Sequence, residues 1–336
     1  MSEPAGRSVQ ELLDRPCWPV RRLATWAAIV AALSLAPLVI TNGYHLTLAT
    51  NVTITMILTF SQNFTIGRIG RFSLSHAAFL GVGGYMAAIL AQRHGVPPLA
   101  TLPMAMAASM AVAGLIGVPV LRLRGMFLAV ATLSFTLFAE VFARQASDIT
   151  GGAYGITGIP PLTFFGHPMR GAWMYEVAIA VMLLTALVLE NIRLSRFGRA
   201  IVAARDNEAA AAAAGIDVTR TRLAGYVLAA AITGAAGWVY SFFHLTLNPY
   251  VLSLDITFVW LFIVLVGGLG SMRGTALASV LLGVGPEMLG FAAAQQVLTA
   301  GVLVLLVVLL FPRGLGGLVE DIEGWFQRRR SADGDG

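Results

Sequence analysis

NIRLSRFGRAIVAARDNEAAAAAAGIDVTRTR (residues 191–222) is the longest strongly charged segment between two hydrophobic runs of the chain. Six arginines (Arg193, Arg196, Arg199, Arg205, Arg220 and Arg222) stand against Asp206, Glu208 and Asp217. At its centre, Arg205 to Gly215 reads as a short alanine-rich helix closed by glycine. The consecutive alanines Ala209, Ala210 and onward to Ala214 favour helix strongly. Asp206 and Glu208 suit its N-terminal dipole, and Gly215 suits its C-terminal cap. A channel or scaffold has no evident need for such an element. A membrane protein driven by a soluble partner does, because force has to enter through a firm handle. The alternative is a solvated surface helix with no partner.

The sequence on either side of this segment is apolar. Of 336 residues, 57% are hydrophobic and only 12% charged, with a mean hydropathy of +0.78. A soluble domain carries about 25% charged residues, so the chain reads as an all-α polytopic membrane protein. Spans of roughly 17–25 apolar residues cross a bilayer. Ten are predicted, at about 23–42, 45–65, 74–92, 98–121, 125–143, 173–190, 223–243, 256–271, 275–292 and 296–311. The third and ninth are rich in Gly and Ala and are candidates for broken or re-entrant helices. The domain reading is an N-terminal segment 1–22, a permease domain 23–318 and a tail 319–336.

All 22 basic residues are arginine, and most lie between apolar runs, where orientation signals belong. With ten spans and both termini cytoplasmic, nineteen arginines fall inside and only Arg93, Arg144 and Arg170 fall outside. A missed or extra span would scramble that split. The same placement argues against nucleic acid as the partner of a chain with a pI of 9.9. Five plus five spans would leave halves of opposite orientation, the arrangement of inverted repeats in transporters, although the halves share no convincing sequence similarity. No cleavable signal peptide is expected, because the first apolar run is too long for one. The external loop at about 144–172 carries TGGAYGITGIPP (150–161), whose glycines and prolines signal turns, not a domain. The tail, with Trp325, Phe326 and Arg328 to Arg330, reads as an interfacial anchor in contact with lipid.

RFSLSHAAFLGVGGYMAAIL (71–90) is the second informative stretch. Small residues recur at Ser75, Ala78, Gly81, Gly84 and Ala88, a spacing that lets helix backbones approach closely in lipid. Ser73, Ser75 and His76 either cap a tightly packed helix or line a translocation path. Glu287, after Pro286, is an intramembrane carboxylate: a pathway group or the partner of a neighbouring arginine. Glu140 is placed to pair with Arg144 at i,i+4. Asn51, Gln62 and Asn63 read as interhelical glue or as pathway lining. Nothing suggests catalysis. The five histidines have no metal-ligand spacing, so no metal site is expected. The single cysteine, Cys17, excludes an internal disulfide. With no lysine the chain cannot carry a P-loop, so any ATP is bound by another chain.

Four ordered blocks carry a family resemblance: FSLSHAAFLGVGGY (72–85), GGAYGITGIP (151–160), SRFGRA (195–200) with GIDVT (215–219), and GGLGSMRG (267–274); LFPRGL (310–315) also fits. Together they cover about residues 45–318, and they resemble the LivM-type permease subunit of branched-chain amino acid ABC importers. The resemblance implies a multi-pass protein of the bacterial inner membrane that forms half of a translocation pathway. It implies a homologous second permease (LivH-like), two cytoplasmic ATPases (LivG- and LivF-like) and an external solute-binding protein. It also implies that ATP and magnesium are held by the ATPases, with no cofactor on this chain. The 191–222 loop would hold the coupling helix, with Arg205, Asp206, Glu208, Ala209, Ala210 and Gly215 as its coupling residues. Many ABC importers place three residues between Glu-Ala-Ala and Gly; here four separate Ala210 from Gly215. Relatives of the family serve urea, short amides or aromatic acids. The rival is an ion-coupled secondary transporter using Glu287 and His76; a passive channel is the third reading.

Overall fold

The computed structural model describes residues 42–288 except 124, 165 and 166, together with 301, 302, 305 and 314–317; the side chains of 164 and 286–288 are outside that description. The segment 1–22, nearly all of the runs at 23–42 and 296–311, the tail 319–336 and the Glu287 side chain therefore lie outside the described residues.

Helix α1 (Gly43–Asn63) opens where the Asn42 side chain accepts from the Tyr44 amide at 3.0 Å. It runs on as a π-helix over Phe64–Arg68. Residues 69–75 are non-helical, and α2 (His76–Arg93) follows. A 3-10 turn at Pro98–Ala100 leads into α3 (Thr101–Val120), and α4 spans Met126–Gln145. A turn-rich loop then holds α5 (Ser147–Thr150), β1 (Ile156–Thr157), β2 (Thr163–Phe164) and β3 (His167–Pro168). The next helices are α6 (Ala172–Leu194), α7 (Arg196–Asp206), α8 (Glu208–Ala213) and α9 (Val218–His244). After β4 (Thr246–Leu247) and a 3-10 turn (Pro249–Leu252) come α10 (Leu254–Gly267) and α11 (Met272–Met288).

Helices stand at eight of the ten predicted runs. Four of them, α3 with its leading turn, α4, α6 and α9, are long and apolar enough to cross a membrane by length and composition. The run at 256–271 is shorter than predicted. It stops at Gly267 because Gly268 adopts φ +92°, a turn conformation that a side chain would strain. Helix α2 is unbroken through its glycines, and the interruption lies before it, at 69–75.

The core forms around α9, which packs on α2 and α3, while α1 packs on α10 and α11. Phe79, Ala113, Leu121, Leu128, Tyr226 and Ala230 make one buried cluster. The indole of Trp238 donates to Pro98 O and Thr101 Oγ1, both at 3.0 Å. By contrast, Leu115, Met126, Phe127 and Phe138 on α3 and α4 are exposed, an apolar surface suited to lipid or to another apolar chain.

At one end of the bundle the glycine-rich loop is not a separate domain. Ile156 pairs with Leu247 and Thr157 with Thr246 in antiparallel register, tying the loop to the α9–α10 connection. Gln92 Nε2 donates to Thr157 O at 2.6 Å and Arg93 Nη1 to Asp148 O at 2.5 Å. Glu140 and Arg144 form the expected i,i+4 pair at 2.7 Å at this end.

Candidate functional site

The charged segment 191–222 lies at the opposite end, folded as the last turn of α6, then α7, α8 and the first turn of α9. Its helices are closed by local sequence. Ser195 caps α7 by accepting from the Gly198 amide, Asn207 caps α8 by accepting from Ala210, and Asp217 caps α9 by accepting from Arg220. Asn207 is extended (φ −152°, ψ 105°), so the chain breaks there. The alanine-rich helix therefore starts at Glu208, not at Arg205. Arg205 and Asp206 close α7 instead, and they pair with each other at 2.9 Å. The far end of α8 is a Schellman cap: Ile216 N donates to Ala211 O and Gly215 N to Ala212 O, both at 3.0 Å, with Gly215 at φ +82°. The extra residue before Gly215 is absorbed in α8, and glycine still falls at the left-handed position.

Glu208 is held from two sides. Its Oε1 accepts from Arg222 Nη1 at 2.5 Å and from Arg71 Nη2 at 3.2 Å. Both arginine side chains are buried, at 8% and 9% exposure, whereas Glu208 is 39% exposed. Each guanidinium also reaches a carbonyl on another element. Arg222 Nη2 donates to Ala204 O in α7 at 2.6 Å, and Arg71 Nη1 donates to Leu123 O beyond α3 at 3.2 Å. Arg205 Nη1 adds a bond to Gly67 O in the π-helix at 2.5 Å. Charge-assisted bonds of this kind are the stronger class, and here they gather α7, α8, α9, the α3–α4 turn and the 69–75 segment around one carboxylate. The other side of α8 is bare: Ala209, Ala210, Ala212, Ala213 and Gly215 are exposed, and only Ala211 is buried.

Ser73, Ser75 and His76 lie just beyond Arg71, fully buried. Ser73 Oγ and Ser75 Oγ are 2.8 Å apart, and Ser75 Oγ is 2.6 Å from the Tyr226 hydroxyl on α9. His76 Nε2 lies 3.3 Å from Thr65 Oγ1. The backbone between them is tied to α4: Leu74 N donates to Thr132 Oγ1 at 3.0 Å, and Thr136 Oγ1 donates to Leu74 O at 2.9 Å.

Farther along α2, a Cβ at Gly83 would stand 2.5 Å from Gly234 Cα, and one at Gly84 would stand 3.1 Å from Gly237 O. A Cβ at Gly81 would meet the Leu252 side chain, and Ala88 is fully buried.

Sequence reasoning missed Arg71 and Arg222 as partners of Glu208, and missed Gly83 as a point where the backbones of α2 and α9 meet. The first depends on the burial of the two arginines, which the sequence does not report and the fold does.

Asn63 behaves as glue. Its amide donates to Gly268 O (3.2 Å), Ser271 O (3.1 Å) and Thr275 Oγ1, and its carbonyl accepts from Gly270 N (2.6 Å). It thereby clamps the turn between α10 and α11, the GGLGS stretch singled out in the sequence. Asn51 Oδ1 lies 3.1 Å from His244 Nε2.

Comparison with known proteins agrees with this architecture. Residues 44–311 match the family model described as branched-chain amino acid transport system, permease component. The chain is 30% identical over 319 residues to the high-affinity branched-chain amino acid transport system permease protein LivM of Salmonella typhimurium, covering 88% of this chain and 75% of that protein. It is 30% identical over 314 residues to its Escherichia coli K12 counterpart, covering 85% and 74%. It is also 25% identical over 292 residues to the probable branched-chain amino acid transport permease protein LivH of Methanocaldococcus jannaschii, covering 81% and 88%. No solved structure matches the chain. A match over four-fifths of its length places this chain in the family of permease components of branched-chain amino acid transport systems.

Proposed function

We propose that this chain is the permease subunit of an ABC importer, forming half of the membrane pathway for branched-chain amino acids, with α8 as the element on which a cytoplasmic ATPase docks. The observation that carries the docking reading is α8 itself. It is a short helix closed at both ends, fixed to the bundle by two buried arginines that grip Glu208, with a smooth alanine face left open. Alanine gives a rigid ridge that loses no side-chain entropy on docking.

Likeness to both a LivM and a LivH protein supports pairing with a homologous second permease. ATP and magnesium would sit on two ATPases, and an external binding protein would deliver the solute to the glycine-rich end. The placement of arginines supports a cytoplasmic assignment for the α7–α8 end, since Arg93, Arg144 and Arg170 belong to the other. A bacterial inner-membrane location and ten spans follow from the same reading. A five-plus-five inverted repeat is supported by an exchange of partners: α9 packs on α2 and α3, and α1 packs on α10 and α11. Ser75 and Ser253 occupy the same place in this scheme, each directly before the helix that follows a long one and a link that is not α-helical. Ser73, Ser75, His76 and Glu287 remain the candidate pathway residues.

The test is co-purification and transport. Ala209→Arg and Ala213→Arg place charge and bulk on the open face of α8. ATPase recovered with the permease complex is expected to fall at least about thirtyfold, the lower range of a hot-spot loss. Equal recovery would show that docking lies elsewhere. In proteoliposomes, leucine uptake is expected to require ATP and the binding protein; uptake on a proton gradient alone would overturn the importer reading.

A further inference from the structure

We propose that Arg71 and Arg222 are positioning residues that convert movement of α8 into movement of the 69–75 segment, with Glu208 as the joint between them and not as a contact to the ATPase. The proposal rests on the reading of α8 as the docking helix and adds how that helix is connected to the membrane bundle.

Three observations carry it. First, Glu208 points back into the bundle, with one oxygen shared by two buried guanidinium groups. Its carboxylate is therefore already engaged on the side away from the open alanine face. Second, the two arginines sit on different moving parts. Arg222 is on α9, four residues before Tyr226, and Arg71 is on the non-helical segment that leads into α2. Third, those two parts meet again one step deeper, where Ser75 Oγ bonds the Tyr226 hydroxyl at 2.6 Å and Ser73 bonds Ser75. A closed circuit results: Glu208, Arg71, the 71–75 backbone, Ser75, Tyr226 and Arg222.

An unbroken helix in place of 69–75 would transmit a push only along its axis. A non-helical segment gripped at Arg71 and Ser75 can shift between two arrangements while its hydrogen bonds persist. That is the form of bistable link through which a local displacement becomes a helix movement. The buried arginines also make the joint hard to abandon, because either guanidinium left without its carboxylate would be an uncompensated buried charge.

The test uses the complete complex with its two ATPases, in a Cys17→Ser background, so that introduced cysteines are the only thiols of this chain. Phe72→Cys reports on the 69–75 segment from an exposed position, and Ala212→Cys reports on α8. Labelling by a water-soluble maleimide is timed without nucleotide and after trapping with ADP and vanadate. In the parent, trapping is expected to change the labelling rate at Phe72→Cys by about fivefold or more, the lower range of an allosteric coupling. With Glu208→Gln the change is expected to fall below about twofold, while Ala212→Cys stays protected by the ATPase. An undiminished response in Glu208→Gln, or no response at Phe72→Cys in the parent, would overturn the linkage. Loss of protection at Ala212→Cys in the parent would instead refute the docking reading, so the two failures are distinguishable. If Glu208→Gln does not assemble, Arg222→Gln is read by the same criteria, since Arg71 still holds Glu208, and Arg222→Lys is expected to restore part of the response.

Discussion

Helices α9 and α1 both run through the middle of this bundle, yet they differ in what brings them closest to their neighbours. Helix α9 meets α2 through bare backbone, Gly234 against Gly83 and Gly237 against Gly84. Helix α1 holds its neighbours through side-chain polarity: Thr59 Oγ1 to Ser279 Oγ at 3.0 Å, Ser61 to α9, Asn63 to the α10–α11 turn, and Thr65 to His76. In lipid the hydrophobic effect does little to drive helices together, leaving close packing and hydrogen bonds as the two available forces. Close packing dominates where α9 crosses α2, beside the bonds of Trp238 and Tyr226, and hydrogen bonds dominate around α1. Close packing tolerates no added atoms, whereas a hydrogen-bonded contact tolerates change in proportion to the bonds lost.

The largest effect is expected where backbone meets backbone. A Cβ at Gly237 would collide with the Leu80 carbonyl and stand 2.8 Å from Gly84 N, and neither is a flexible side-chain end. Gly237→Val should therefore cost about 3 kcal/mol or more by overpacking. The expected result is little or no monodisperse protein by size-exclusion chromatography. Gly81→Ala is the sharpening control, because its Cβ meets the Leu252 side chain and no backbone atom. Equal behaviour of the two variants would remove the distinction between backbone and side-chain contact.

These two glycines also show what was legible in the sequence. The small-residue pattern at Ser75, Ala78, Gly81, Gly84 and Ala88 identified α2 as a close-packing helix. It did not identify Gly83, which lies off that spacing, because the face of α2 that α9 meets is decided by where the 3-10 turn Pro249–Leu252 occupies the other side. Eight apolar runs were legible as helices, since hydropathy and length are local properties. The stop of α10 at Gly267 was visible only as a glycine-rich block, whose purpose depends on Asn63, more than 200 residues upstream. At the charged end, the caps of α8 were legible in part: Gly215 was placed correctly, while Asn207 was overlooked as the N-cap and Asp206 was assigned to the wrong helix. The ion pair of Glu208 with Arg71 spans 137 positions, and no local rule reports it.

A middle-sized effect is expected at Asn63. Replacement by alanine strands the amide of Gly270, whereas the carbonyls of Gly268 and Ser271 keep bonds from Ser271 N and from Thr275. The cost is expected at about 2 kcal/mol, the scale of unsatisfied buried polar groups. It should appear as a lower melting temperature with the complex still assembled. Asn63→Asp separates shape from donation: it keeps the acceptor for Gly270 N but loses both donors, and should be no better than alanine. A melting temperature unchanged in Asn63→Ala would mean that the turn is held by backbone packing, as on the α9 side.

The smallest effect is expected where α1 itself meets α9. Thr233 Oγ1 donates to Ser61 Oγ at 3.0 Å, but each hydroxyl also bonds the carbonyl of Ala229, at 2.9 Å for Thr233 and 2.7 Å for Ser61. Removing either side chain therefore leaves the other with a partner, and no buried donor is stranded. A double-mutant cycle of Ser61→Ala and Thr233→Val should give a coupling of only about 0.6 kcal/mol, the average for hydrogen bonds between membrane helices. A coupling several times larger would mean that the pair acts as one unit with the Ala229 carbonyl. The polar side of the core would then resist change as sharply as the glycine side does.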